Sequence, residues 1–278
     1  MALTSNIKPI YSFIDSSFSF DNTGDYHLSI EISETSITYA VLEVSAIRYL
    51  VLENFKTNDR VDLLVLLGKY IWKSVSIAYN SKYVTLIPEE HFESNDQKKI
   101  LQFNFSDNIG NSIAHHHILN TTIVGVFQFP ESLETQVKQQ FPTATFLHTA
   151  ISTLQHLLVH EIGQAKCTTH LNVGEGLMEI IILKEGELIF HNHFDYQAPE
   201  DILYYQLFVF QQLEINPHQT DLIVYGKVTE NDAIHTLLVK YIKEINFGNA
   251  RLNFKFSSAF NELEKHQYLS IFNQYLCV

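Results

Sequence analysis

The chain has 278 residues, 46% of them hydrophobic, and a formal net charge of −13, so it can bury the core of one large or two ordinary domains, and disorder is not the default reading. Its arginines are Arg48, Arg60 and Arg251 alone; they form no basic stripe, which argues against nucleic acid as a direct partner. Lys8, Pro9 and Asp15 break up the apolar patches of Met1–Ser19, no stretch approaches the roughly 18 apolar residues of a membrane span, and Cys167 and Cys277 make neither a disulfide framework nor a paired-cysteine zinc motif; a cytoplasmic protein without membrane insertion is expected.

Residues 1–25 read as an N-terminal arm. From His27 to Leu52 three runs rich in Ile, Val, Leu and Tyr alternate with period two, broken at Ser33-Glu34-Thr35 and Val44-Ser45-Ala46, which predicts an antiparallel meander. A helix is predicted over Asn58–Trp72, capped by Asn58 or Asp59, with Val61, Leu64, Val65, Gly68, Ile71 and Trp72 on one face. Ser74–Asn120 reads strand, strand, helix, strand, strand and has no later counterpart, so an inserted subdomain is expected at 74–120. Thr122–Phe127 (strand), Glu131–Gln140 (helix), Thr145–His148 (strand) and Ser152–Ile162 (helix) complete a first half, 26–165.

A second meander is predicted over Thr169–Phe194, with turns at Gly174-Glu175-Gly176 and Lys184-Glu185-Gly186, then a helix from Pro199 to about Leu213. Strand Asp221–Tyr225, helix Asp232–Glu244, strand Arg251–Phe256 and helix Asn261–Tyr275 follow in a second half, 166–278, whose last helix is expected to pack back on the first. The order repeats, with His27-Leu28-Ser29-Ile30 set beside His170-Leu171-Asn172-Val173. Alternating strands and helices make parallel strands joined by crossovers, so each half is expected to form a mixed sheet.

Two copies of a βββαβα unit resemble the actin, heat-shock-seventy and sugar-kinase superfamily. Val173–Phe194 followed by Asp201-Ile202-Leu203-Tyr204-Tyr205 looks more narrowly like the actin-like proteins of cell division and pilus assembly. With the run Val84-Thr85-Leu86-Ile87-Pro88, the chain from about Tyr26 onward resembles an uncharacterised Bacteroidetes family, domain of unknown function 3822. The resemblance implies a duplicated actin-like (ribonuclease H-like) α/β fold: two mixed sheets with helices on both faces. It also implies magnesium-ATP, the phosphates gripped by the first turn of each meander and the adenosine by a glycine pair after a late strand. Such turns use glycine because backbone N–H groups must reach phosphate oxygens, and Asp because magnesium prefers hard oxygen ligands.

Measured against that implication, the turns are degraded. Glu31-Ile32-Ser33-Glu34-Thr35-Ser36 stands where Asp-x-Gly is expected, and Glu34 would turn a carboxylate toward polyphosphate; Ser33, Thr35 and Ser36 can still donate hydrogen bonds. Asn172-Val173-Gly174-Glu175-Gly176 keeps two glycines, which a tight turn alone explains, but has Asn172 in place of a charged metal ligand. Tyr225-Gly226-Lys227 has a single glycine. If a nucleotide binds, Ser33, Thr35, Asn172, Gly174, Gly176 and Gly226 would hold it, with Glu31 added for turnover. The expectation is instead a scaffold or adaptor without ATPase activity, cofactor or catalytic residues, which binds an unidentified protein or a second copy of itself through its inserted segment or the cleft between its halves.

Histidines offer a competing chemistry, that of a metal-dependent hydrolase. In His115-His116-His117 only the outer two share a strand face. His191-Asn192-His193 with Asp195 resembles half of a metal-hydrolase site, set against an edge strand with an exposed polar face. His156 and His160, beside Glu161, sit at helical spacing without the His-Glu-x-x-His order. None is assigned a metal. The chain contains no Gly-x-Ser-x-Gly elbow. The run Ile202–Phe210 is apolar nearly all round, and such a helix is expected to be buried unless it meets a partner.

Overall fold

A computed structural model describes residues 7–105, 109–160, 166–249 and 254–278. The chain divides into two compact units, Met1–Gln155 with Arg251–Leu263 and Ser270–Val278, and His156–Ala250 with Glu264–Leu269.

The first unit grows from β2 (Tyr26–Ile32), in which every residue but Glu31 is buried, the mark of a strand covered on both faces. It pairs antiparallel with β3 (Ser36–Glu43), and β3 pairs with β4 (Arg48–Lys56), which gives the predicted meander. β1 (Tyr11–Ile14) adds antiparallel to β4. α1 (Arg60–Leu67) then crosses over to β5 (Ser74–Tyr79), which runs parallel to β2. The helix is shorter than predicted because it stops at Gly68, where an added Cβ would lie 2.8 Å from Gln140 Oε1 on α3 (Glu131–Gln140). Its buried face also differs: Leu63, Leu64 and Leu67 are buried, whereas Val61, Val65 and Ile71 are exposed.

β6 (Val84–Pro88), α2 (Gln97–Asn104), β7 (Ile113–His117) and β8 (Ile123–Gln128) form a separate unit whose three strands make their own antiparallel sheet. β5 therefore belongs to the main sheet, and the insertion starts after it and runs through β8, in contrast to the expected span 74–120. After α3, β9 (Thr145–His148) lies parallel to β5, and α4 (Thr149–His160) follows. The sheet order is β1-β4-β3-β2-β5-β9. One face packs Leu28, Ile30 and Ile32 on α1 and on Leu133 and Val137 of α3.

The second unit repeats this order. β10 (Cys167–Val173), β11 (Leu177–Lys184) and β12 (Glu187–Asp195) form a meander, α5 (Pro199–Gln212) crosses over, and β13 (Asp221–Gly226) runs parallel to β10. Glu185 and Gly186, both at positive φ (55° and 80°), make the tight turn between β11 and β12. Asp201 on α5 accepts hydrogen bonds from the Gln197 and Ala198 N–H groups at 2.9 and 3.0 Å, closing the helix start. α5 buries Ile202, Gln206, Val209 and Phe210 against the sheet but exposes Tyr204 and Phe208, so it is covered on one side only.

α6 (Ala233–Leu238) ends well before the predicted Glu244, because β14 (Glu244–Phe247) takes the place beside β13 that had been given to Arg251–Phe256. In that later stretch, β15 (Lys255–Phe256) pairs with β4 in the first unit, while Arg251 lies outside the described residues. The helix predicted over Asn261–Tyr275 is instead α7 (Leu269–Asn273) between tight turns at Lys265–Tyr268 and Gln274–Cys277. Its regular ladder gives way where the first sheet takes up its polar groups: Tyr49 donates to the Phe272 carbonyl at 2.5 Å, Ser270 donates to Glu31, and Gln274 Nε2 donates to the Ile30 carbonyl at 3.1 Å.

That contact fixes a buried histidine. Ser76 Oγ donates its proton to Gln274 Oε1 (2.8 Å), so the His27 Nε2 beside it at 3.0 Å carries a hydrogen, and Nδ1 accepts from Ser74 Oγ at 2.8 Å. Burial pushes the His27 pKa down to about 3. With the folded pKa below the unfolded one near 6.5, His27 contributes stability at neutral pH that is lost as pH falls from about 6.5 toward 3, at up to roughly 1.4 kcal/mol per pH unit. Urea unfolding of His27→Gln across that range is expected to show a flatter acid-side decline than the parent chain.

Candidate functional site

The turns singled out in the sequence occupy equivalent positions. The hydrogen bond from Ser33 N to Ser36 O (2.9 Å) recurs from Gly174 N to Leu177 O (2.9 Å), and Ile32 opposite Ile37 matches Val173 opposite Met178. Glu31 thus corresponds to Asn172, a register two residues away from the one that sets His27 beside His170. Both meanders also shift register at the same place, between Val41 and Leu42 in one and between Ile182 and Leu183 in the other.

In the first turn the hydroxyls serve the turn itself. Ser33 Oγ accepts from the Ser36 N–H at 3.0 Å and the Thr35 N–H at 3.3 Å and contacts the Thr35 and Ser36 hydroxyls at 3.3 and 3.1 Å. Glu34 is exposed, and Glu31 is held by Ser270.

The second turn brings Asn172, Gly174, Gly176 and Gly226 to one end of the second sheet. Gly176 has φ +70°, and a would-be Cβ meets only the Tyr196 carbonyl oxygen at an ordinary 3.9 Å, so its glycine answers to turn conformation. Gly226 has φ +79°, and a Cβ there would sit 2.1 Å from the Val173 carbonyl oxygen. The close approach lets Lys227 N donate to that carbonyl at 2.7 Å, while the Lys227 ammonium pairs with Glu175 of the turn. Tyr196 closes the other side, its hydroxyl donating to Gly174 O at 2.5 Å. Ser33 and Thr35 lie in the first unit, the other four candidates in the second.

Asn172 leads to residues the sequence did not join. Its Nδ2 donates to Glu179 Oε2 at 3.3 Å, and Glu179 Oε1 lies 3.0 Å from His191 Nε2 and 3.8 Å from His193 Nε2. The side chains of Glu179, His191 and His193 are only 4–5% exposed. β12 is the edge strand of its sheet, but the expected exposed polar face is corrected: Asn192 points out and the two histidines point in. Burial by itself raises the Glu179 carboxyl; the His191 hydrogen bond, the nearby histidine charges and the Asn172 amide outweigh it and bring the pKa down to about 2. Burial holds His193 neutral, its pKa pushed down to about 4 against the pull of Glu179.

Asp195, which the sequence placed with these histidines, is exposed at the end of β12 opposite Leu177, and Glu179 stands in its stead. The sequence hides this. Counting back from the turn at Glu185-Gly186 would set Glu179 opposite Asn192; the extra residue Ile189 shifts the register so that Glu179 faces His193.

The other histidines do not converge in this way. His115 and His117 share an exposed face of β7, with His117 Nδ1 3.4 Å from Glu89. His156 is buried in α4; Glu161 and the side chain of His160 lie outside the described residues. Among the described residues, Glu179, His191 and His193 are the one group of three or more ligating side chains with donor atoms within 4.8 Å of one another.

Two mixed sheets, each a meander followed by a crossover to a parallel strand, define an actin-like ATPase fold. It is shared with a Bacteroides thetaiotaomicron protein of actin-like ATPase fold and unknown function, at TM-score 0.73 and 21% identity, over 84% of this chain and 95% of that one. A structure of the PilM–PilN type IV pilus biogenesis complex matches at TM-score 0.57 and 10% identity, over 90% and 97%. The ethanolamine utilization protein EutJ from Carboxydothermus hydrogenoformans matches at 0.50 and 8%, over 91% and 90%. No curated protein sequence matches the chain. Residues 15–245 match the family described as protein of unknown function DUF3822, and the chain belongs to that family.

Gly176 and Gly226, both at positive φ, separate turn conformation from close packing. Gly226→Ala is expected to cost about 3 kcal/mol or more, from strain plus backbone collision, and Gly176→Ala about 1 kcal/mol, from strain alone. Urea denaturation of both variants measures the difference.

Proposed function

We propose that this protein is an actin-like module that does not turn over ATP and acts by binding another protein. The observation that carries the reading is the local use of the groups a polyphosphate would need: Gly174 N–H donates to Leu177 O, Lys227 N–H to Val173 O, and the Lys227 ammonium pairs with Glu175. Asn172 adds no charge for magnesium, and its amide is committed to Glu179. To admit phosphates these contacts would have to break, while Glu175 and Glu34 oppose the incoming charge.

A role in protein binding is supported by features the repeated unit does not require. The sheet β6–β8 with α2 has no counterpart in the second unit and presents Phe103 91% exposed. One structure of the same fold, the PilM–PilN complex, is of a protein with a partner bound. Both cysteines are free thiols, in keeping with a reducing compartment such as the cytoplasm, and no helix among the described residues is long and apolar enough to cross a membrane.

A thermal-shift titration of the full chain with magnesium-ATP to millimolar concentration tests the first part. No change in Tm is expected; a rise that grows with nucleotide concentration overturns it, since any ligand of the folded state stabilises by mass action. For the second part, a photo-crosslinking residue at Phe103 is expected to give one discrete adduct in cells, and absence of any adduct counts against partner binding through this segment.

A further inference from the structure

We propose that Glu179 Oε1, His191 Nε2 and His193 Nε2 form a binding site for a divalent transition-metal ion of the zinc type. Two imidazoles and one carboxylate are a donor set that zinc accepts, with a fourth position open. Ligands about 2.0–2.2 Å from a tetrahedral zinc stand roughly 3.3–3.5 Å from one another. The carboxylate-to-imidazole separations of 3.0 and 3.8 Å bracket that spacing, and all three donor atoms lie within 4.8 Å of one another. Asn172 holds the other carboxylate oxygen, Oε2, which leaves Oε1 aimed at both rings. Outer hydrogen bonds of this kind orient metal ligands.

The fold does not call for these residues. At the equivalent positions of the first meander Thr38 faces Asn54, joined by a neutral hydrogen bond of 2.7 Å, and Leu52 stands where the second has His191. A threonine, an asparagine and a leucine therefore fill the same place on the same framework. Placing a carboxylate and two imidazoles there instead costs several kcal/mol of desolvation per charged group, which an uncharged packing avoids. The site uses none of the backbone N–H groups of the turns and shares with the nucleotide candidates only Asn172, whose amide donates to Glu179.

The test is calorimetric titration of Zn2+ into chelator-stripped full-length protein, with Tm recorded before and after. One equivalent is expected to bind and to raise Tm. His193→Gln, which keeps a polar side chain of similar reach, is expected to weaken binding by at least roughly 100-fold, beyond the change that losing an outer hydrogen bond produces. His115→Ala/His117→Ala, on the exposed strand of the insertion, controls for adventitious uptake by the histidine run and is expected to bind zinc like the parent. Substoichiometric uptake by the parent, zinc bound with no rise in Tm, a His193→Gln chain that binds as tightly as the parent, or loss of binding in the His115/His117 variant would each overturn the site. Because the parent titration and the His115/His117 variant leave the buried cluster untouched, the outcome stands even if His193→Gln does not fold.

Discussion

A strand buried on both faces must satisfy most of its polar side chains inside the protein. In β2 these are His27, Ser29 and Glu31, and in β10 Thr168, Thr169, His170 and Asn172; of these the Ser29 and Thr169 hydroxyls are buried without a hydrogen-bond partner among the described residues. In the first unit the C-terminal segment supplies the partners, with Gln274 bridging Ser76 and the Ile30 carbonyl and Ser270 reaching Glu31. In the second, His170 lies 3.3 Å from both Thr168 Oγ1 and Tyr225 OH, and Asn172 binds Glu179. Each buried group left without its partner would cost about 1–3 kcal/mol, so these contacts govern which segments pack on which sheet.

The same accounting bears on chemistry. In an ATPase of this fold the charged residue at the end of the central strand would serve a ligand; here Glu31 and Asn172 serve their own chain. The carboxylate that stays buried in the second unit is that of Glu179, set among Asn172, His191 and His193.

Much of the fold was legible because it depends on local pattern. Period-two runs marked the second meander within two residues at each end and the first within one residue at its start and four at its end, and Glu185-Gly186 marked a tight turn made by a positive-φ pair. Pairing was less legible. Nothing within Ser74–Tyr79 shows that it lies parallel to β2 while Ile123–Gln128 joins a separate sheet, because both are short β-prone runs and partner choice is a long-range property. The reach of Lys255–Phe256 to β4 was hidden for the same reason. At the candidate site, each of Asn172, Gly174, Gly176 and Gly226 could be named from the sequence, but Lys227–Glu175 joins the residue after β13 to the turn after β10, and Asn172–Glu179 joins β10 to β11.

The sequence by itself determined the repeated order of elements and the absence of a charged metal ligand at Asn172, since side-chain identity and hydrophobic period are local quantities. Only the tertiary structure decided that His191 and His193 are buried and that they face Glu179 in place of Asp195. The physical reason is one extra residue, Ile189: a β-bulge moves every later side chain of β12 by one register position, and no local pattern announces it.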